Sequence, residues 1–89
     1  MTTQNDELRK LPNIGKALAE KLILVGIENA NQLKNIGAEN AFILLKTVDN
    51  DACINMLCAI EGAIQGIRWH HIEKSRKEEL KEFFRMTNS

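Results

Sequence analysis

The sequence lacks several features that enzymes and nucleic-acid-binding proteins commonly show. Its 89 residues include no tyrosine, one tryptophan and one proline, and its twelve Lys and Arg residues cancel its twelve Asp and Glu residues. Zero net charge excludes a global positive field, so any binding to nucleic acid needs a local patch. The chain is also too short to form two cores or to enclose a large cofactor. We therefore expect one small domain spanning residues 1–89.

Long hydrophobic runs and reaction centres are absent too. The most apolar window, residues 52–67, is interrupted by polar side chains, and the N-terminus is polar and acidic. These features predict no membrane span, no secretory signal and a cytoplasmic location. The only serines are Ser75 and Ser89, and the sequence has no glycine-rich phosphate loop. We expect no catalytic residue and no cofactor.

The cysteines and histidines do not form a metal-binding motif. Cys53 and Cys58 are five residues apart in a predicted helix, which points their side chains in different directions and disfavours a disulfide between them. His70 and His71 are adjacent, and neither CxxC nor HxxxH spacing occurs in the chain. We expect no bound metal and two buried free thiols.

A repeated segment is the most informative feature of the sequence. Residues 11–22 (LPNIGKALAEKL) align with residues 33–44 (LKNIGAENAFIL), with six identities in twelve positions, whereas average residue usage gives about one. In each copy a turn containing glycine leads into an amphipathic pattern, so each copy is predicted to be a helix-hairpin-helix unit. The identities pair Leu11 with Leu33, Asn13 with Asn35, Ile14 with Ile36, Gly15 with Gly37, Ala19 with Ala41 and Leu22 with Leu44.

Apolar periodicity and capping signals predict helices throughout the chain and no strand. Gly26 is predicted to close the first hairpin unit, and Asn29 with Gln32 forms a capping box at the start of the second. Hairpin unit one is predicted at about 5–27 with helices at 5–10 and 15–25, and hairpin unit two at about 29–48 with helices at 29–35 and 38–48.

The segment at residues 52–66 is apolar on most of its circumference, which predicts a central helix that the other helices pack around. Gly66 is its predicted C-cap. Glu61 is its one acidic residue, with Gln65 and Arg68 four and seven positions further on. We expect Glu61 to be exposed on a polar stripe with these two residues or paired with Arg68.

Trp69 is predicted to fill the core between the central helix and a charged C-terminal helix at residues 73–85. Ser75 and Glu78 resemble a capping box for that helix, and residues 86–89 are expected to fray. Its alternating charges are typical of a solvated face. The predicted fold is all-α, a compact five- or six-helix bundle of two tandem helix-hairpin-helix units around a central apolar helix, of the SAM-like kind.

Five stretches of the sequence stand out together: LPNIG at 11–15, GI at 26–27, NIGAENA at 35–41, NMLCAIEGAIQG at 55–66 and the tryptophan at position 69. With them the chain, over about residues 8–84, resembles one known family, the C-terminal domain of the TfoX bacterial competence regulators. The resemblance implies a bacterial, helix-hairpin-helix domain with a non-enzymatic regulatory role, similar in kind to the C-terminal domain of the RNA polymerase alpha subunit. Full-length family members carry an additional N-terminal domain, so this chain is expected to be a stand-alone copy.

The first turn is the candidate site for DNA. Its helix start should present unpaired backbone N–H groups, which suit a phosphate. Around it Arg9, Lys10, Lys16 and Lys21 outweigh Glu20, a local excess of three positive charges. The second turn repeats the backbone pattern with fewer cations. The predicted DNA-contacting residues are Lys10, Asn13, Ile14, Gly15, Lys16, Lys21 and Gly37.

Two kinds of partner remain open at this point. Double-stranded DNA would be bound weakly and in a salt-dependent way through its backbone. A protein partner, with no nucleic-acid binding, is favoured by the zero net charge and by the resemblance to regulators; it would use an exposed apolar patch.

Overall fold

The computed structural model describes residues 7–88. The helices are α1 (Lys16–Leu24), α2 (Ala30–Ile36), α3 (Ala38–Lys46), α4 (Ile54–Gln65) and α5 (Lys74–Asn88), with a 3-10 turn at Trp69–His71. Residues 7–9 are helical as well, and the predicted start of that helix at Asn5 lies outside the described residues. Residues 7–88 contain no strand, which confirms the all-α prediction, and none of their helices is long and apolar enough to cross a membrane.

Several helix ends follow the predicted capping signals. Asn29 Oδ1 accepts a hydrogen bond from the Gln32 N–H at 2.9 Å, as predicted. The return bond of the capping box runs from the Glu28 N–H to Gln32 Oε1 at 2.6 Å, one residue earlier than in the usual motif. Gly66 ends α4 in the left-handed conformation, with φ 77°, as its predicted role as C-cap requires.

Three local predictions are wrong. Ser75 is no cap, because α5 begins at Lys74 and places Ser75 inside the helix. Residues 86–88 are helical rather than frayed, because α5 continues to Asn88, and position 89 lies outside the described residues. Cys53 is not buried: an Asx turn at Asp49 delays the start of α4, so that Cys53 becomes its exposed N-cap. Cys58 is buried, as predicted, and burial raises the pKa of its thiol.

The core forms around α4. This helix lies against α2, α3, α5 and the 3-10 turn, as its apolar circumference predicts. The side chains of Leu57 and Ile60 on α4 are fully buried, as is Phe42 on α3. Phe42 also faces Phe84 of α5, with ring centroids 5.8 Å apart. The organisation of the other helices as two helix-hairpin-helix units stays a prediction.

A partly buried ion-pair cluster joins α3, α4 and α5, and it corrects the prediction for Glu61. Only 8% of Glu61 is exposed, and its Oε1 lies 2.9 Å from Nη2 of Arg76 rather than near Arg68. Arg76 also bonds to Glu39 at 2.8 and 3.0 Å and to Glu79 at 3.0 Å. Gln65 donates to the other Glu61 oxygen. Arg76 therefore faces inward, although the alternating charges of α5 are typical of an exposed face.

The same cluster predicts a dependence of stability on pH. Hydrogen bonds from Arg76 hold the pKa of Glu39 below its ordinary value of 4.5, against the opposing effect of burial. A carboxylate with a lowered pKa in the folded state stabilises the fold fully above its unfolded pKa, and this contribution is lost as pH falls through the folded pKa.

We expect the free energy of unfolding to fall between about pH 5 and pH 3, and to fall less in the Glu39→Gln variant, by under about 1 kcal/mol because Glu39 is partly exposed. Urea denaturation across this pH range measures both slopes. A hydrogen bond from Lys21 also lowers the pKa of Asp49. Asp49 contributes equally to the pH dependence of the unaltered protein and of Glu39→Gln. Identical slopes for the two chains would contradict the assignment.

Candidate nucleic-acid interface

The first turn is built around Asn13, which adopts the left-handed conformation with φ 70°. Pro12 precedes it and cannot supply a backbone N–H to continue a helix. Ile14 is buried, with 5% of its surface exposed, so it anchors the turn and does not face outward. Gly15 then serves as the N-cap of α1 in an extended conformation. The turn thus holds its apolar residue inward and its glycine outward.

The side chain of Asn13 forms hydrogen bonds that connect this turn to α4 and to the segment that follows α4. Its Nδ2 donates to the Ala59 carbonyl at 3.4 Å and to the Ile67 carbonyl at 3.0 Å. Its Oδ1 accepts from the Trp69 N–H at 3.2 Å. The space for this amide exists because residue 62 is glycine: a Cβ there would lie 2.5 Å from Asn13 Nδ2. Asn13 therefore positions the turn, and its side chain is not available for a ligand.

The start of α1 leaves its backbone donors open. Gly15, Lys16 and Ala17 are exposed, α1 has no side-chain cap, and within residues 7–88 no turn or loop carbonyl accepts from their N–H groups. Free N–H groups and the helix dipole together place partial positive charge at a helix N-terminus. This arrangement suits an anionic oxygen.

The predicted cations at the first turn differ in availability. Lys10 and Lys16 are exposed, and the structure gives neither ammonium group an ion pair within residues 7–88. Lys21 is engaged instead, because its Nζ lies 2.7 Å from the carboxylate of Asp49. Lys21 therefore links α1 to the segment after α3. The residues adjacent to the first turn in the sequence give no sign of this ion pair.

The second turn does not repeat the first, although both contain Asn-Ile-Gly. Its left-handed residue is Gly37, with φ 85°, and not the asparagine. Lys34 stands where the first copy has Pro12, so α2 continues to Ile36 and Gly37 alone joins it to α3. The Gly37 N–H donates to the Leu33 carbonyl at 3.0 Å. Gly37 thus has no free backbone donor, in contrast to Gly15.

Trp69 lies at the surface beside the first turn and not in the core, contrary to the prediction. Its side chain is 40% exposed because the 3-10 turn runs along the outside of α4, held by Asn13. The Trp69 ring meets His70 edge-on, with centroids 5.7 Å apart, and Lys77 Nζ lies 5.8 Å from its centroid. Sequence reasoning missed this neighbour of the turn because 56 residues separate Asn13 from Trp69.

A pocket of about 290 Å³ opens between the first turn, α4 and the 3-10 turn. We call it the Trp69 pocket. It is lined by Asn13, Asn55, Ala59, Arg68, Trp69 and His70. None of these residues is acidic, and the structure shows no hydrogen bond or ion pair for the side chains of Arg68 and Asn55 within residues 7–88.

A model of the TfoX C-terminal domain family matches residues 4–84 of the chain. The chain belongs to this family. The DNA transformation protein TfoX of Haemophilus influenzae (strain ATCC 51907 / DSM 11121 / KW20 / Rd) is 33% identical to it over 75 residues, which cover 84% of this chain and 35% of that protein. This TfoX C-terminal domain thus spans about a third of the curated relative that it matches.

Solved structures from Listeria monocytogenes share the fold of this TfoX C-terminal domain. A triclinic crystal form of an uncharacterized protein superimposes with a TM-score of 0.91 at 43% identity, covering 92% of this chain and 93% of that one. A tetragonal form of a protein of unknown function gives a TM-score of 0.85 at 42% identity, covering 93% and 98%. The match to the family model and the identity with the Haemophilus relative confirm the family resemblance seen in the sequence.

Proposed function

We propose that this TfoX C-terminal domain is a non-enzymatic regulatory module, competence-related as its family suggests, that contacts the backbone of double-stranded DNA through its first turn. The observation that carries the proposal is the start of α1, where Gly15 and Lys16 are exposed and α1 has no side-chain cap. Lys10 and Lys16, both exposed, have no ion pair within residues 7–88. Backbone N–H groups and lysines contact phosphates without reading bases. The expected affinity is therefore weak, independent of sequence and dependent on salt.

Family membership supports the proposal, because the Haemophilus relative carries the name DNA transformation protein. The contrast between the two turns supports it as well. The first turn has an exposed glycine whose N–H donates to no turn or loop carbonyl within residues 7–88, whereas the second uses its Gly37 N–H internally. The first turn alone is therefore the proposed phosphate contact.

Charge reversal at Lys16 tests the proposal. We expect the Lys16→Glu variant to bind a labelled duplex about 10-fold more weakly at low salt, and the salt dependence of its affinity to become shallower by about one unit, because one phosphate contact is lost. Fluorescence anisotropy at about 50 and 200 mM salt measures both effects.

Lys81→Glu is the matched control. It makes the same charge change on exposed α5, beside Ile54 and Glu82 rather than the first turn. Equal losses in the two variants would indicate a general charge effect. No binding by the unaltered protein at low salt would contradict the DNA proposal.

One observation favours a protein partner as a second candidate function. Leu24, Ile43 and Val48 are 72%, 46% and 44% exposed, more than apolar side chains of this size need be. Association through them would survive salt, unlike phosphate binding. Salt-resistant self-association or protein binding that is lost in Leu24→Ser, with no anisotropy change on DNA, would favour this function.

A further inference from the structure

We propose that the Trp69 pocket receives one unpaired nucleobase of a DNA strand whose phosphate lies on the first turn. This inference rests on the proposed function and adds to it a preference for single-stranded over duplex DNA.

The Trp69 pocket shares a residue with the first turn. Asn13 belongs both to the first turn and to the lining of the Trp69 pocket, and its Oδ1 holds the backbone of Trp69 at 3.2 Å. The phosphate contact at Gly15 and the pocket are thus fixed relative to each other by one side chain. The proposal places the base of a nucleotide bound by its phosphate at the turn in this neighbouring pocket.

The lining of the Trp69 pocket has the chemistry to bind a base. Trp69 is 40% exposed, on a chain with only four aromatic Phe and Trp residues, and its indole offers a flat surface on which any base can stack. Arg68 adds a guanidinium that has no hydrogen bond or ion pair within residues 7–88, and the Asn55 amide offers both a donor and an acceptor to a base edge. The lining has no carboxylate to repel the strand. Lys77, already beside the ring, adds positive charge.

The volume of the Trp69 pocket limits what it can hold. A cavity of about 290 Å³ falls just below the range of about 300–1,000 Å³ typical of clefts for drug-sized ligands, so it suits one ring system and no large cofactor. A base inside a duplex is stacked on both faces and paired at its edge, so only an unpaired base can enter without loss of those contacts.

The test uses the protein's own fluorescence. Trp69 is the sole tryptophan and the chain has no tyrosine, so its emission reports only on this pocket. We expect oligothymidylate of about ten nucleotides to quench the emission and to bind about 10-fold more tightly than an abasic strand of equal length, which has the same phosphates and no bases. The abasic strand should bind without quenching.

Variants at Trp69 give an independent readout by anisotropy of the labelled strand. Trp69→Leu should lose the difference between the two strands, and Trp69→Phe should retain much of it, because the phenyl ring still stacks. Both variants keep the backbone N–H of residue 69, which donates to Asn13, so circular dichroism should show unchanged helix content. Unquenched emission in the unaltered chain overturns the inference without recourse to any variant.

The outcomes separate the inference from the proposed function. Equal affinity for the oligothymidylate and the abasic strand, both lost in Lys16→Glu, would overturn the base pocket and leave the phosphate contact standing. Quenching by oligothymidylate that Lys16→Glu does not weaken would support the pocket and overturn the phosphate contact at the first turn.

Discussion

Replacement of Arg76 with methionine is expected to lower the free energy of unfolding by about 3 kcal/mol, a large part of the 5–15 kcal/mol that holds small domains together. The reason is the charge that remains. Glu61 has 10% of its side chain exposed, and without Arg76 only the Gln65 amide still donates to it. A buried carboxylate without a counterion is costly, and Glu39 would lose its partner at the same time. Urea denaturation measures the loss.

Two further variants isolate the cause of this loss. Arg85→Met breaks the exposed pair with Glu82 on the same helix and should cost less than about 0.5 kcal/mol. Glu61→Leu combined with Arg76→Met removes both buried charges and should recover at least half of the stability lost in Arg76→Met, because buried pairs are often replaced by apolar residues without loss. A double variant as unstable as Arg76→Met would show that the unpaired carboxylate is not responsible.

Replacement of Gly62 with alanine should destabilise the fold by about 2 kcal/mol and weaken DNA binding together. The added Cβ would lie 2.5 Å from Asn13 Nδ2, 2.8 Å from the Ile67 carbonyl oxygen and 3.1 Å from Trp69 Cα. Two of these are backbone atoms, which cannot rotate away, so the first turn and the 3-10 turn must both shift. Overpacking costs about 1–3 kcal/mol, and loss of the Asn13 bonds adds to it; the better helix propensity of alanine returns about 1 kcal/mol.

Gly15→Ala is the matched control for this glycine. A Cβ at Gly15 would have no neighbouring heavy atom within 4 Å, and the residue has an ordinary negative φ of −92°. We expect its stability to change by less than about 1 kcal/mol. Denaturation of both variants tests the effect on stability, and equal stability of the Gly62→Ala and Gly15→Ala chains would refute the assignment.

The parts of the fold that depend on a few consecutive residues could be predicted from the sequence. Asn29 with Gln32 identifies a helix start, and Gly66 a helix end, because capping depends on a few consecutive residues. The apolar circumference of residues 54–65 likewise indicates a central helix. These features need no knowledge of what lies across the interior.

The parts that depend on distant partners could not be predicted. The pattern around Glu61 suggested Arg68, seven residues on, whereas the fold supplies Arg76 from the next helix. The spacing in α5 does not distinguish Arg76 from the solvated charges beside it. Tryptophan is usually buried, which predicts Trp69 in the core, whereas the path of the 3-10 turn along the surface places it next to the first turn.

The two Asn-Ile-Gly segments show that the first turn is not a portable module. Its left-handed asparagine is set by Pro12 and by three bonds to residues 46 to 56 positions away, whereas the same tripeptide at Asn35 continues a helix. Residues 11–22 grafted into another scaffold would keep their sequence but would not adopt the conformation of the first turn. Transfer of this surface to a new protein therefore requires α4, with Gly62, and the 3-10 turn as well.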